Sequence, residues 1–145
     1  MTAPEEKIAE LVSLLPVFVG TLLEGSKIIT PVKLNISEGK TLMILHKHEG
    51  SPMTEYSRKV GLSKGSFTTV ADHLEKKGLI ERVAVSNDRR KYALFLTKEG
   101  KRIAREIDLQ FKKHIAKKVA QLEQGDLNSL KNSLEIIAAV MEKFK

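Results

Sequence analysis

Apolar residues recur at three- and four-residue steps along most of the chain, and once the pattern turns to a β-type run. Near the N-terminus Ile8, Leu11, Val12, Leu15, Val19, Leu22 and Leu23 share one helical stripe. Thr2 with Glu5 three positions later has the spacing of a capping box. The pattern predicts a first helix to about Ile28, kinked or split at Pro16, because proline lacks an N–H and clashes with the preceding turn. Thr30 to Asn35 reads as a connection. Ser37 is the expected cap of a second helix carrying Leu42, Met43 and Leu45, stopped by Gly50-Ser51-Pro52. A short third helix is expected from Met53 to Val60, closed by Gly61. Ser63 caps a fourth, with Phe67, Val70, Ala71 and Leu74 on one face and Gly78 at its end. Two short helices joined by Gly61-Leu62-Ser63 are a helix-turn-helix.

From Leu79 the composition shifts to β-branched and aromatic residues, in 79–85 and again in Tyr92 to Leu96, with the charged run 86–91 between them. That predicts a hairpin with a charged tip. Thr97 should then cap a long helix with Ile103, Ile107, Phe111, Ile115, Val119 and Leu122 on one stripe, ending near Gly125. Asp126 should cap a last helix in which Leu127, Leu130, Leu134, Ile137, Met141 and Phe144 alternate three and four apart. A stripe of this kind needs an apolar partner. The first, fifth and sixth helices are all amphipathic and lie outside the helix-turn-helix, so a two-fold helical interface is the better account, with Leu11, Leu15, Ile115, Val119, Leu127, Leu130, Leu134, Ile137 and Met141 as its dimerisation residues. The expected fold is mainly α with a small β-hairpin wing: a winged helix-turn-helix with N- and C-terminal dimerisation helices. It forms a single domain over 1–145, with the winged lobe at 36–100 and the helical dimerisation region at 1–30 and 101–145.

Composition narrows the function. The net charge of +7, from 25 Lys and Arg against 18 Asp and Glu, suits a polyanionic partner but does not by itself choose DNA over RNA or an anionic membrane. With no cysteine, disulfides, thiolate metal sites, cysteine nucleophiles and thiol redox sensing are excluded together. Aromatic residues are 5% with no Trp, which argues against a single-strand binder built on stacked rings. No apolar run approaches the roughly 18 residues of a membrane span, and a cytoplasmic location is the expectation.

On the fourth helix, rotation by about 100° per residue places Gly65, Thr68, Thr69, Asp72, His73 and Lys76 opposite the apolar face. Taken alone, this face is equally an ordinary solvated one. In a major groove, the N-terminal residues Ser63, Lys64, Gly65 and Ser66 with Thr68 and Thr69 would meet phosphates and base edges, followed by His73 and Lys76. The hairpin shifts the balance. Arg89, Arg90 and Lys91 at a tip can reach phosphates or a narrow minor groove, and Asp88 beside them can fix the turn and pair with a guanidinium.

The run from Met53 to Lys64, His73-Leu74-Glu75-Lys76-Lys77-Gly78-Leu79-Ile80-Glu81-Arg82, Asn87-Asp88-Arg89-Arg90 and Leu96-Thr97-Lys98-Glu99-Gly100 resemble the multiple-antibiotic-resistance regulator (MarR) family of bacterial winged-helix repressors. The resemblance is close from Ile36 to about Arg102. It implies a homodimer with interlocked terminal helices, a recognition helix in the major groove and a wing in the neighbouring minor groove. The Asp-x-Arg wing motif falls on Asp88 and Arg90. Arg90 is then the minor-groove residue, Asp88 its orienting partner, and Arg89 and Lys91 phosphate contacts. The resemblance also implies release from DNA by a small aromatic or phenolic ligand bound between the dimerisation helices and the DNA-binding lobe, with no cofactor required. The chain departs from the family at Thr69 and His73, where arginine is common, so less electrostatic affinity comes from that helix.

No metal site is expected. His46 and His48 are two apart and point to different sides of a helix, and His73 and His114 are solitary, so Glu24, His46, Glu49 and His114 converge only if the tertiary structure brings them together. No nucleophile, paired-carboxylate or phosphate-loop signature marks an enzyme. The resulting expectation is a sequence-specific regulator of double-stranded DNA, a repressor relieved by a small-molecule effector, on pseudo-palindromic half-sites about 10 base pairs apart. The rival is a winged-helix module for nonspecific DNA binding or protein contact without an effector. Gly39, early in the second helix, has no sequence rationale.

Overall fold

Seven α-helices and one two-stranded sheet make up the computed structural model, which describes residues 1–50, 53–85 and 92–145. Helix α1 (Ala3–Val12) begins with the capping box at Thr2 and Glu5. The N-terminal stripe does split at Pro16. Helix α2 (Leu15–Leu23) restarts with the proline at its first turn, where a missing N–H is harmless, and ends before Gly25 at φ +77° rather than at Ile28.

Helix α3 (Ile36–Lys47) is capped by Asn35, not Ser37. The Asn35 side chain accepts from the Glu38 amide at 2.8 Å, and the Glu38 carboxylate accepts from the Asn35 amide at 3.0 Å. The spacing Asn-x-x-Glu satisfies two orphan donors at once, which a cap at Ser37 would not, so Ser37 lies inside the first turn. Helices α4 (Met53–Val60) and α5 (Lys64–Lys76) follow, separated by Gly61 at φ +81° and capped at Ser63. The hairpin pairs β1 (Ile80–Ala84) with β2 (Tyr92–Leu96) antiparallel, Ile80 opposite Leu96 and Arg82 opposite Leu94.

Helix α6 (Lys98–Val119) stops before the expected Gly125, because after Ala120 the bonds tighten to i→i−3, Gln121 N to Lys118 O at 3.3 Å and Leu122 N to Val119 O at 3.0 Å. Helix α7 (Gln124–Met141) then starts from Glu123, not Asp126, and the Leu127 amide closes its first turn on the Glu123 carbonyl at 2.9 Å. Gly125 is thus a helical residue and Asp126 a first-turn carboxylate that favours the helix N-terminus. A short 3₁₀ turn, Glu142–Phe144, closes the chain.

The chain divides into two compact units, Lys27–Gln110 and Met1–Ser26 with Phe111–Lys145. In the first, Leu42 and Leu45 of α3, Tyr56 of α4, Phe67 and Leu74 of α5, Leu94 of β2 and Ile103 of α6 are fully buried around one core. The Tyr56 and Phe67 rings stack with centroids 6.3 Å apart, and the Tyr56 hydroxyl donates to the His48 carbonyl just past the end of α3. Thr97 fastens α6 to the turn before the hairpin. Its amide donates to Leu79 O at 3.0 Å, and its hydroxyl donates to Gly78 O at 2.6 Å while accepting from the Gly100 amide at 3.0 Å. Gly100 makes this approach sterically feasible, since a Cβ there would lie 1.9 Å from the Leu79 carbonyl oxygen. Gln110 brackets the peptide of Ile29, donating to its carbonyl at 2.7 Å and accepting from its amide at 2.8 Å.

In the second unit no residue of α1, α2 or α7 is buried. The C-terminal carbonyls of α2 accept from the Glu24 and Ser26 amides, and side chains of α6 add to these backbone caps. Lys118 Nζ donates to Thr21 O at 3.2 Å, and His114 Nε2 lies 3.0 Å from Glu24 O. Among the described residues no helix is long and apolar enough to cross a membrane.

Candidate nucleic-acid interface

The apolar face of α5 is inside: Phe67, Val70, Ala71 and Leu74 are all buried. Their burial turns Gly65, Ser66, Thr69, His73 and Lys76 outward, where all five are exposed, while Thr68 is half-buried. Ser63 caps the helix, its hydroxyl oxygen accepting from the Ser66 amide at 3.2 Å. Thr69, exposed on this side, donates its hydroxyl hydrogen back to the Gly65 carbonyl at 3.3 Å. Hydroxyls, an imidazole and an ammonium thus line one accessible helix surface. Lys64 is the first residue of α5; its side chain, and the wing residues Asp88, Arg89, Arg90 and Lys91, lie outside the described residues.

Two polar clusters set the attitude of this helix. At its C-terminal end Lys77 donates to Glu38 at 2.6 Å and to the Lys33 carbonyl at 2.8 Å, tying α5 to the first turn of α3. Glu38 is 3% exposed. Burial pushes its carboxyl up, but the hydrogen bonds from Lys77 and the Asn35 amide, with the charges of Lys77 and His73, outweigh that and hold it below the ordinary carboxylate range. On the flank, Arg82 of β1 pairs through Nη2 with Asp72, and its Nε lies 3.6 Å from Glu75 Oε2.

Arg82 and Lys77 are not among the residues that the motifs and spacing single out. For Arg82 a signal exists. Alternation along β1 puts Arg82 on the same side as buried Ile80, so a cation is aimed inward, and it needs acid partners there. Lys77 carried no comparable signal, because its partner lies 39 residues earlier. Of the histidines weighed as ligands, His114 is engaged with a backbone carbonyl and His48 caps α3. Among the described residues no three His, Asp or Glu side chains gather as a metal would require.

The expected dimerisation residues are accessible within the chain. Leu11, Leu15, Leu134, Ile137 and Met141 are between 41% and 59% exposed, and Ile115, Val119, Leu127 and Leu130 are half-buried. Exposed apolar residues also include Val17, Ile136, Val140 and Phe144. Apolar surface on this scale marks an interaction site.

Known proteins resemble the chain in sequence and in fold. The family model described as the MarR family matches residues 34–92, from just before the capping residue of α3 to the first residue of β2. The HTH-type transcriptional regulator YfiV of Bacillus subtilis is 27% identical over 79% of this chain and 72% of its own length. The transcriptional repressor MprA of Escherichia coli is 42% identical over 46% of this chain, an alignment spanning 38% of the repressor. Among solved structures, FabT of Streptococcus pneumoniae, crystallised in complex with DNA, is 26% identical, covers 97% of this chain and 96% of its own, and superposes with a TM-score of 0.63. The chain thus matches the MarR family model through the helix-turn-helix and into the hairpin, and over most of its length it is similar in sequence to an HTH-type transcriptional regulator and in fold to FabT.

Proposed function

We propose that this regulator binds double-stranded DNA sequence-specifically as a homodimer, and that it is a repressor released by a small ligand. The observation that carries the reading is the outward face of α5, where Ser66, Thr69, His73 and Lys76 are exposed opposite a fully packed apolar face. A helix fixed so firmly on one side and so polar on the other can enter a major groove without reshaping the core. The net charge of +7 supports the same partner. FabT, of similar length and fold, was crystallised with DNA, and MprA is a repressor. Exposed apolar positions on α1, α2 and α7 support a dimer, whose two-fold axis would pair two recognition helices with half-sites about 10 base pairs apart. Ligand release follows from the family resemblance. A ligand that prefers a subunit spacing unsuited to the operator lowers DNA affinity by its differential binding to the two states.

Selection from a random duplex pool at near-physiological salt tests this. A two-fold symmetric motif among the retained duplexes is the expected result. Retention without an enriched motif, combined with a steep salt dependence, would replace the operator reading with nonspecific binding.

A further inference from the structure

Helix α5 carries two acids on the side that would approach DNA. Asp72 sits one turn after Thr68 and Thr69 and one turn before Lys76, near the middle of the outward face, and Glu75 lies on its flank. Their side chains are 49% and 47% exposed. Uncompensated, two carboxylates there would repel the phosphates that the helix must pass between.

Both carboxylates face one cation. Arg82 reaches across from β1 with a side chain only 21% exposed, pairing with Asp72 through Nη2 and with Glu75 through Nε. Its Nε is buried and makes no hydrogen bond, so the 3.6 Å ion pair with Glu75 is what balances it. Arginine suits the task. Its fork addresses two acids at once, and it does not lose its proton in any ordinary pH range.

We propose that Arg82 is a positioning residue for DNA recognition that acts by cancelling charge, holding Asp72 and Glu75 neutralised beside α5 so that the helix can meet a polyanion. The inference rests on the DNA-binding reading above. It differs from two other roles for the same side chain, a direct phosphate contact and a simple brace between hairpin and helix.

The test compares wild type, Arg82→Ala, Asp72→Asn/Glu75→Gln and the triple variant, each titrated with a duplex recovered by the wild-type selection, with dimer mass and thermal melting recorded alongside. Arg82→Ala should weaken binding on the order of tenfold. The triple variant should recover to within about twofold of wild type, since removing the acids removes the need for the cation. The double variant, with Arg82 in place, should bind at least as tightly as wild type, and this arm holds even where Arg82→Ala folds poorly. A triple variant as weak as Arg82→Ala overturns the proposal in favour of a phosphate contact or a brace. Weaker binding by the double variant overturns it too, by making the acids base contacts, for instance to cytosine amino groups. Arg82→Ala binding as wild type also overturns it. A wild type that retains no duplex removes the DNA reading itself, and this inference with it.

Discussion

Gly100 and Gly39 are both helical glycines in sequence terms, yet their surroundings give opposite expectations. Alanine is favoured over glycine inside a helix by about 1 kcal/mol. At Gly39 a Cβ would meet nothing within 4 Å, so Gly39→Ala should stabilise the protein by about 0.5–1 kcal/mol. At Gly100 the same Cβ would lie 1.9 Å from a backbone oxygen that cannot swing aside, and overpacking of this kind costs about 1–3 kcal/mol. Gly100→Ala should therefore be a net loss, and a pair of urea melts moving in opposite directions checks both. The fixed carbonyl at Leu79 explains Gly100; nothing in the structure explains Gly39. Glu38 is the other decisive single residue. Its pKa is depressed in the folded protein, so its contribution is present above the unfolded carboxylate value and is lost as pH falls through the lower folded value. Glu38→Ala should cost about 2 kcal/mol at neutral pH, given two charge-assisted or capping hydrogen bonds. The difference from wild type should shrink on acidification below the carboxylate range. A deficit unchanged at low pH would show that the carboxylate charge is not its source.

The elements were mostly written locally. Ser63, Gly61 and Gly78 punctuate α4 and α5 as their chemistry requires, and the apolar spacing of Phe67, Val70, Ala71 and Leu74 chose the buried face before any packing was known. Boundaries went astray where two local signals competed. Asn35 prevailed over Ser37 because only it has a Glu three residues on, and Gly125 did not stop a helix because α6 had already ended in a turn closed by i→i−3 bonds. The hairpin's strands fall where the β-branched residues do, with Thr97 anchoring the following helix. Arg90 lies outside the described residues, so the role implied for the wing is tested functionally. Arg90→Ala should cost about 1–3 kcal/mol of DNA affinity with the dimer mass unchanged. Unaltered affinity would remove the wing from recognition.

At the scale of the whole molecule, the terminal helices leave apolar side chains in solvent that a single chain has no reason to expose. Leu134 and Met141, at 44% and 59% exposure, lie on the stripe of α7. Replacing both by Glu should dissociate the proposed dimer in sedimentation equilibrium and weaken binding to paired half-sites, whereas an undiminished dimer mass would sink the helical interface. Surface residues in such variants leave the core of Lys27–Gln110 untouched, so melting of that unit should persist. What the sequence determined by itself is the part governed by short-range rules. Those rules set the order of helices and strands, most caps, the hairpin strands, the inward and outward faces of α5 and the cationic balance, because periodicity, capping and turn chemistry act over a few residues; whether Pro16 kinked or split the first helix they left open. Tertiary structure alone decided which charges meet. Lys77 with Glu38, Gln110 with Ile29, Gly100 against Leu79 and Arg82 between Asp72 and Glu75 all depend on how separate elements pack. Partner choice across such gaps is set by three-dimensional distance and desolvation, which spacing along the chain does not encode.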